Sequence, residues 1–291
     1  MTAASHPAPV SEAGGHPPGT DTDAVARLLA VRRPVVMGIL NVTPDSFSDG
    51  GAFFSPDAAI TQARRMATDG SDIIDIGAES TRPYGNAAAI AADEELRRLA
   101  TIVPAVVRLG FPVSIDTMKA TVAEWAIGQG ASIVNDVWGL QRDPDMAGVV
   151  ARHRVFAVIM HNREAADPLI DILDDMDAFF ERSLAIAARA GIRREAIMLD
   201  PGIGFGKTPE QSMTAIARLD RLKKFNLPLL VGASRKRFID AVAPAPPDRR
   251  LGGSIAAHVL AVLNGAKLIR AHDVAETVQA MRILAAIGAR S

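Results

Sequence analysis

Residues 200–207 read Asp200-Pro201-Gly202-Ile203-Gly204-Phe205-Gly206-Lys207, directly after the apolar run Ala196-Ile197-Met198-Leu199. The run predicts a short strand that delivers a carboxylate to a loop in which three glycines let backbone approach a ligand. Phe205 and Lys207 would flank whatever sits there. The arrangement recurs along the chain. Apolar runs end in Asn41, in Glu79-Ser80-Thr81-Arg82, in Asp116, in Asn135-Asp136, in Ser234-Arg235-Lys236 and in Arg270-Ala271-His272. Polar groups at so many strand ends imply one site assembled from all of them.

The chemistry of these groups is that of binding a polar, flat, anionic molecule. Asp116, Asn135 and Asp200 supply acceptors and donors for a heterocycle carrying both, although a hydrogen-bond network inside the fold would use the same groups. That second role is realistic for Asp136, whose side chain can point away from the mouth. Arg82 can grip a phosphate or carboxylate with two parallel bonds, and Arg270 and His272, two apart on extended chain, can point the same way as a pyrophosphate clamp. A helix beginning near Ser234 would add backbone N–H groups for an anion. Asn41, followed by a loop rich in small donors and acceptors that suits closure over a polar ligand, can join a magnesium shell; Mg²⁺ commonly keeps water and phosphate as its other ligands. Met160 reads as a soft apolar wall, and His161 as a satisfied, partly buried side chain rather than a base.

These residues need a scaffold that gathers strand ends. Short apolar runs at 35–40, 73–76, 113–115, 133–134, 156–160, 197–199, 229–231 and 267–269 predict eight strands, each followed by residues at helical spacing. Strands that are apolar throughout imply a parallel sheet covered on both faces. Ser55-Pro56 marks one helix start, Thr208 with Gln211 predicts a capping box, and Asp273 with Glu276 marks the last helix, which carries Val274, Val278, Met281 and Ala285 on one face. Eight strand–helix units in one domain require a closed (β/α)8 TIM barrel; a doubly wound open sheet would concentrate function at one switch point. The domain is expected over 26–291, with 1–25, rich in Ala, Pro and Gly, as a disordered tail.

Bulk properties exclude several classes. With 48% hydrophobic residues in 291 and a mean hydropathy of +0.15, a large core is expected, yet no run approaches the roughly 20 apolar residues of a membrane helix. A net charge of -1 recruits neither nucleic acid nor a membrane surface. The chain has no cysteine, which rules out disulfides, thiolate metal sites and a cysteine nucleophile, and fits a cytoplasmic location.

The motifs Asn41-Val-Thr-Pro-Asp-Ser-Phe-Ser-Asp-Gly, Glu79-Ser-Thr-Arg-Pro, Asp116-Thr, Asn135-Asp, Asp200-Pro-Gly-Ile-Gly-Phe-Gly-Lys, Ser234-Arg-Lys and Arg270-Ala-His-Asp stand in one order over about 35–287. In this the chain resembles the dihydropteroate synthase family, targets of sulfonamides, which join a dihydropterin methyl pyrophosphate to 4-aminobenzoate. The resemblance implies that Asp116, Asn135, Met160, Asp200, Phe205, Lys236 and Arg270 hold the pterin. It implies that Asn41, Arg82, Arg270 and His272 take the pyrophosphate, with Mg²⁺ on Asn41. Thr81, Pro83, Phe205, Ser234 and Lys236 would shape the aminobenzoate pocket. The catalytic set would be Asp116, Asp200, Lys236 and Arg270. The chain departs from the family pattern at Tyr84 and Arg237, which bear on carboxylate recognition and on sulfonamide sensitivity. A pterin-binding methyltransferase, or a non-catalytic pterin-binding relative, would not need the phosphate-binding set. A homodimer is expected, with apolar helices near 251–263 and 274–287 as its interface, and a single activity without the pterin kinase fused to it in some organisms.

Overall fold

The computed structural model describes residues 21–43, 56–79 and 90–290. Eight strands form one sheet: β1 (Val35–Asn41), β2 (Ile73–Gly77), β3 (Val113–Asp116), β4 (Ile133–Asp136), β5 (Phe156–Met160), β6 (Ile197–Asp200), β7 (Leu230–Val231) and β8 (Leu268–Ala271). Every pairing is parallel, in the order β6-β5-β4-β3-β2-β1-β8-β7, and a parallel bridge between Leu199 and Leu229 joins the two ends. The sheet therefore closes into the (β/α)8 barrel that the strand–helix alternation predicts.

Period-two alternation sorts each strand into an outer and an inner face. Outward side chains such as Ile74, Ile76, Ile115, Val134, Leu199 and Ile269 form the large core beneath the surrounding helices. Inward ones such as Met37, Ile73, Ile133, Phe156, Val158, Met198 and Leu268 pack a separate, smaller core inside the barrel. Helix α1 (Thr22–Ala30) adds Val25, Leu28 and Leu29 to that inner core, so it plugs the end opposite the strand carboxyl termini. Its start at Thr22, where Asp21 accepts a hydrogen bond from the Ala24 N–H, puts the ordered domain ahead of residue 26. The tail expectation for 1–20 lies outside the described residues.

The outer layer comprises α2 (Pro56–Thr68), α3 (Ala92–Leu99), α4 (Ile102–Val107), α5 (Ala120–Gly128), α6 (Met146–His153), α7 (Ile172–Ala190), α8 (Pro209–Ala217), α9 (Arg237–Val242), α10 (Leu251–Leu263) and α11 (Val274–Gly288). Pro56 is the first residue of α2, and the capping box of α8 is present, with Gln211 N donating to Thr208 Oγ1 at 3.2 Å and Thr208 N to Gln211 Oε1 at 3.0 Å. Ser55 lies outside the described residues. Two expected helix starts differ. Asp273 precedes α11 but its carboxylate makes no cap, because it pairs with the Arg235 guanidinium instead. The helix after β7 begins at Arg237, not near Ser234, because Arg235 adopts a left-handed backbone with φ 60° that helix geometry cannot include.

Candidate functional site

The alternation that fills the barrel's lower end with apolar side chains puts Asp75, Asp116, Asn135, Met160, Asp200 and Arg270 on the same inner face, higher up. Asp116, Asn135, Met160, Asp200, Phe205, Lys236 and Arg270 line one narrow cleft at the carboxyl ends of the strands. All seven residues that the resemblance implies for the pterin thus come together. Asp136 is buried but faces outward, where its carboxylate accepts from the backbone N–H groups of Trp138 at 2.8 Å and Leu140 at 2.7 Å. It holds the turn after β4.

The centre of the cleft is an ion network. Arg270 donates from Nε to Asp75 Oδ2 at 2.6 Å and from Nη2 to Asp116 Oδ2 at 2.7 Å. Asn135 Nδ2 donates to the same Asp75 oxygen at 3.3 Å. Asp116 Oδ1 and Asn135 Oδ1 are buried and have no partner. Unsatisfied buried acceptors are costly, so these two oxygens are suited to N–H donors from a ligand. Burial pushes Asp116 up to about 7; Arg270 opposes this and the carboxylates of Asp75 and Glu95 add to it. Burial likewise pushes Asp200 up to about 6, against the Gly202 N–H, Lys236 and Arg270. Arg270 is itself buried, which disfavours its charge, but Asp75 and Asp116 outweigh this and raise its pKa.

The glycine loop after β6 wraps this cleft. Gly202, Gly204 and Gly206 all have positive φ. A Cβ at Gly202 would lie 1.9 Å from the His161 carbonyl oxygen, so no other residue fits there without movement. The loop presents Phe205, with Lys236 Nζ 4.1 Å from its ring centroid. Lys207 does not flank a ligand as the sequence suggests. It is fully buried beneath the loop, where Nζ donates to the carbonyls of Gly202 at 2.9 Å and Phe205 at 3.1 Å and meets His161 Nδ1 at 2.7 Å. His161 is equally buried, bonds Asp175 through Nε2 at 3.0 Å, and is lowered to about 4 by burial and by Lys207. It is a structural pin and not a base.

The anion side differs from expectation in three respects. The Arg270 guanidinium is engaged by its two carboxylates, so it is not free to act with His272 as a clamp. Burial, with Arg270, Arg235 and Lys236 nearby, lowers His272 to about 3, so it is neutral at pH 7. Ser234 does not line the cleft; its hydroxyl lies 3.0 Å from His272 Nδ1 and accepts from the His272 backbone N–H at 3.2 Å. The loop around it is fixed through Arg235, whose N–H donates to Ser254 Oγ at 2.9 Å and whose carbonyl accepts from Arg250 at 3.2 Å. With α9 only six residues long and starting at Arg237, the expected helix-terminus anion site is absent. Arg237 is exposed and outside the cleft. Asn41 ends β1, half-buried. Thr81, Arg82, Pro83 and Tyr84 lie outside the described residues. Asp75, the residue that sequence reasoning missed, was marked only by being the one charge in Ile73-Ile74-Asp75-Ile76.

A closed parallel barrel whose mouth holds carboxylates, an amide and a lysine around a narrow cleft is an enzyme scaffold for a flat, hydrogen-bond-rich molecule. Residues 37–272 match the family of pterin binding enzymes. The chain is 43% identical to the dihydropteroate synthase of Bacillus subtilis (strain 168), over 88% of this chain and 89% of that one. Among solved structures, Xanthomonas albilineans dihydropteroate synthase with 4-aminobenzoic acid superposes with a TM-score of 0.85 at 42% identity, covering 89% and 94% of the two chains. The same enzyme in complex with 7,8-dihydropteroate gives 0.81 at 39% identity, covering 89% and 95%. The chain belongs to the pterin-binding enzyme family and, within it, to the dihydropteroate synthases.

Proposed function

We infer that this chain is a transferase of folate biosynthesis. It condenses (7,8-dihydropterin-6-yl)methyl diphosphate with 4-aminobenzoate, giving 7,8-dihydropteroate and pyrophosphate. The observation that carries this reading is the cleft lined by Asp116, Asn135, Asp200 and Lys236, two of whose oxygens are buried without a donor. The N–H-rich edge of a pterin supplies such donors, and Met160, Val137 and Phe205 supply apolar walls for its faces.

In the reaction the bond between the pterin methylene carbon and the diphosphate oxygen breaks, and a bond from that carbon to the aryl nitrogen forms; the amine proton leaves with solvent or the diphosphate. The two histidines described near the cleft are held neutral, and catalysis on this reading is positioning and charge stabilisation. Asp116 and Asp200, when ionised, stabilise the positive charge that develops on the pterin methylene as diphosphate departs. Lys236 takes the acceptor side of the ring, and Asn41, Arg82 and a neutral His272 take the diphosphate, while Arg270 stays with its carboxylates at the cleft. Ser234, Lys236, Phe205, Thr81 and Pro83 shape the aminobenzoate side.

The ion we propose is Mg²⁺, which commonly rests mainly on substrate phosphate and water. We assign Mg²⁺ to Asn41 at the end of β1; when bound, the ion would neutralise the leaving diphosphate. We place the enzyme in the cytoplasm on its lack of cysteine. Its partner is a second copy of the chain: α10 and α11 form an apolar groove, with Ile283 58% and Ile287 64% exposed.

The test mixes purified protein with the dihydropterin diphosphate, 4-aminobenzoate and Mg²⁺ and follows dihydropteroate by chromatography. Product that depends on all three additions is expected. Absence of product with pterin binding intact would move the chain to a non-catalytic or methyl-transferring pterin binder.

A further inference from the structure

Asp75 is a fully buried carboxylate in an otherwise apolar strand. Its strand register places it opposite Ser114, whereas Asp116 stands opposite Gly77, so Asp75 lies one inward layer deeper than Asp116. It does not line the cleft. One of its oxygens, Oδ2, receives Arg270 Nε at 2.6 Å, lies 2.6 Å from Arg270 Nη2, and receives Asn135 Nδ2 at 3.3 Å. Arg270 Nη2 also reaches Asp116 Oδ2 at 2.7 Å. One guanidinium is therefore shared between a carboxylate that a ligand in the cleft can touch and one that it cannot.

A buried guanidinium stays charged and must keep a counter-charge. If Asp116 were its only partner, a ligand taking Asp116 would have to strip Arg270 of that counter-charge. With Asp75 beneath, Arg270 keeps a carboxylate partner, through the single oxygen Oδ2, while Asp116 is released. The same carboxylate fixes the amide of Asn135, which leaves the Asn135 oxygen pointing at no protein donor. We propose that Asp75 is a positioning residue for pterin recognition: it is the permanent anchor of Arg270 and orients Asn135, so that Asp116 is free to exchange its guanidinium partner for the N–H edge of the substrate. This inference rests on the cleft being the pterin site.

The experiment is a fluorescence titration with 6-hydroxymethylpterin, which needs no catalysis, on the wild type, Asp75→Asn, Arg270→Met and the double variant. Dihydropteroate kinetics and Tm are measured beside it. Asp75→Asn leaves Asp116 as the one carboxylate bonded to Arg270, so Kd for the pterin is expected to rise tenfold or more while KM for 4-aminobenzoate stays within twofold. In the Arg270→Met background the same substitution is expected to cost less than twofold or to improve binding. A merely structural role would lower Tm and the fraction of active protein without separating the two ligands. A change in Kd below twofold, or the same factor in both backgrounds, overturns the proposal. If Asp75→Asn does not fold, the wild type decides: the Arg270 Nε–H NMR signal should remain slowly exchanging in the pterin complex, and its loss on binding overturns the anchor. Wild-type protein that binds pterin but makes no dihydropteroate refutes the synthase reading alone; wild-type protein that binds no pterin refutes both.

Discussion

Replacing Gly202 by alanine should disable the cleft from below. The new Cβ would stand 1.9 Å from the His161 carbonyl oxygen, about 1.5 Å short of ordinary contact, at a residue whose φ is +64°. The left-handed backbone costs a residue with a Cβ roughly 1–2 kcal/mol. Forcing a methyl group against backbone adds roughly 1–3 kcal/mol. A net loss of about 3 kcal/mol corresponds to a fall in Tm of roughly 6–12 °C for a domain of this size. The movement also breaks two bonds that hold the site, from Gly202 N to Asp200 Oδ1 at 2.7 Å and from Lys207 Nζ to the Gly202 carbonyl at 2.9 Å. Displacing Asp200 and Phe205 by about 1 Å should lower kcat/KM on the order of 100-fold. Thermal melts and steady-state kinetics measure both effects. Gly128→Ala is the control, because nothing lies within 4 Å of its added Cβ on α5 and helix propensity should improve by roughly 0.5–1 kcal/mol. A Gly202→Ala protein with wild-type Tm and kcat/KM would refute the packing of this loop against His161.

Three other outcomes follow from the same geometry. Because Asp116 and Asp200 titrate near about 7 and about 6, kcat/KM for the pterin substrate should fall as pH drops through this range and their carboxylates lose charge. Their effect on folding has the opposite sign, since the native state binds these protons more tightly than the unfolded chain, and a pH series of Tm beside the kinetics separates the two. Lys207→Met should cost at least ~2 kcal/mol in urea unfolding, since it leaves the buried carbonyls of Gly202 and Phe205 and the His161 Nδ1 without their donor. Ile283→Glu with Ile287→Glu, both exposed at the α10–α11 groove, should give a monomer in sedimentation velocity while the melting curve changes little.

The barrel was legible because its signals are local and repeated: apolar runs of strand length, each ending in a polar residue, with the capping box at Thr208 confirming one of the intervening helices. The cleft was legible for the same reason, since Asp116, Asn135, Asp200 and Arg270 stand at strand ends where the alternation turns them inward. What escaped depends on depth and on pairing. Asp75 is inside a strand and not at its end, so only its phase relative to Gly77, opposite Asp116, could have marked it. Lys207 looks like a ligand-facing cation in a glycine loop, but the positive φ of Gly202, Gly204 and Gly206 folds the loop back over it. Asp273 looks like a helix cap and is drawn to Arg235 by charge from a loop 38 residues away. His272 looks like a cation; burial beside Arg270, Arg235 and Lys236 makes it neutral, and sequence carries no measure of burial that local.

The most direct test of the central claim is a crystal structure of the enzyme with 7,8-dihydropteroate. The pterin ring is expected between Met160 and Arg270 with its N–H edge on Asp116, Asn135 and Asp200, and Arg270 still bonded to Asp75. A pterin bound elsewhere, or one in this cleft whose donors ignore Asp116 Oδ1 and Asn135 Oδ1, would contradict that claim.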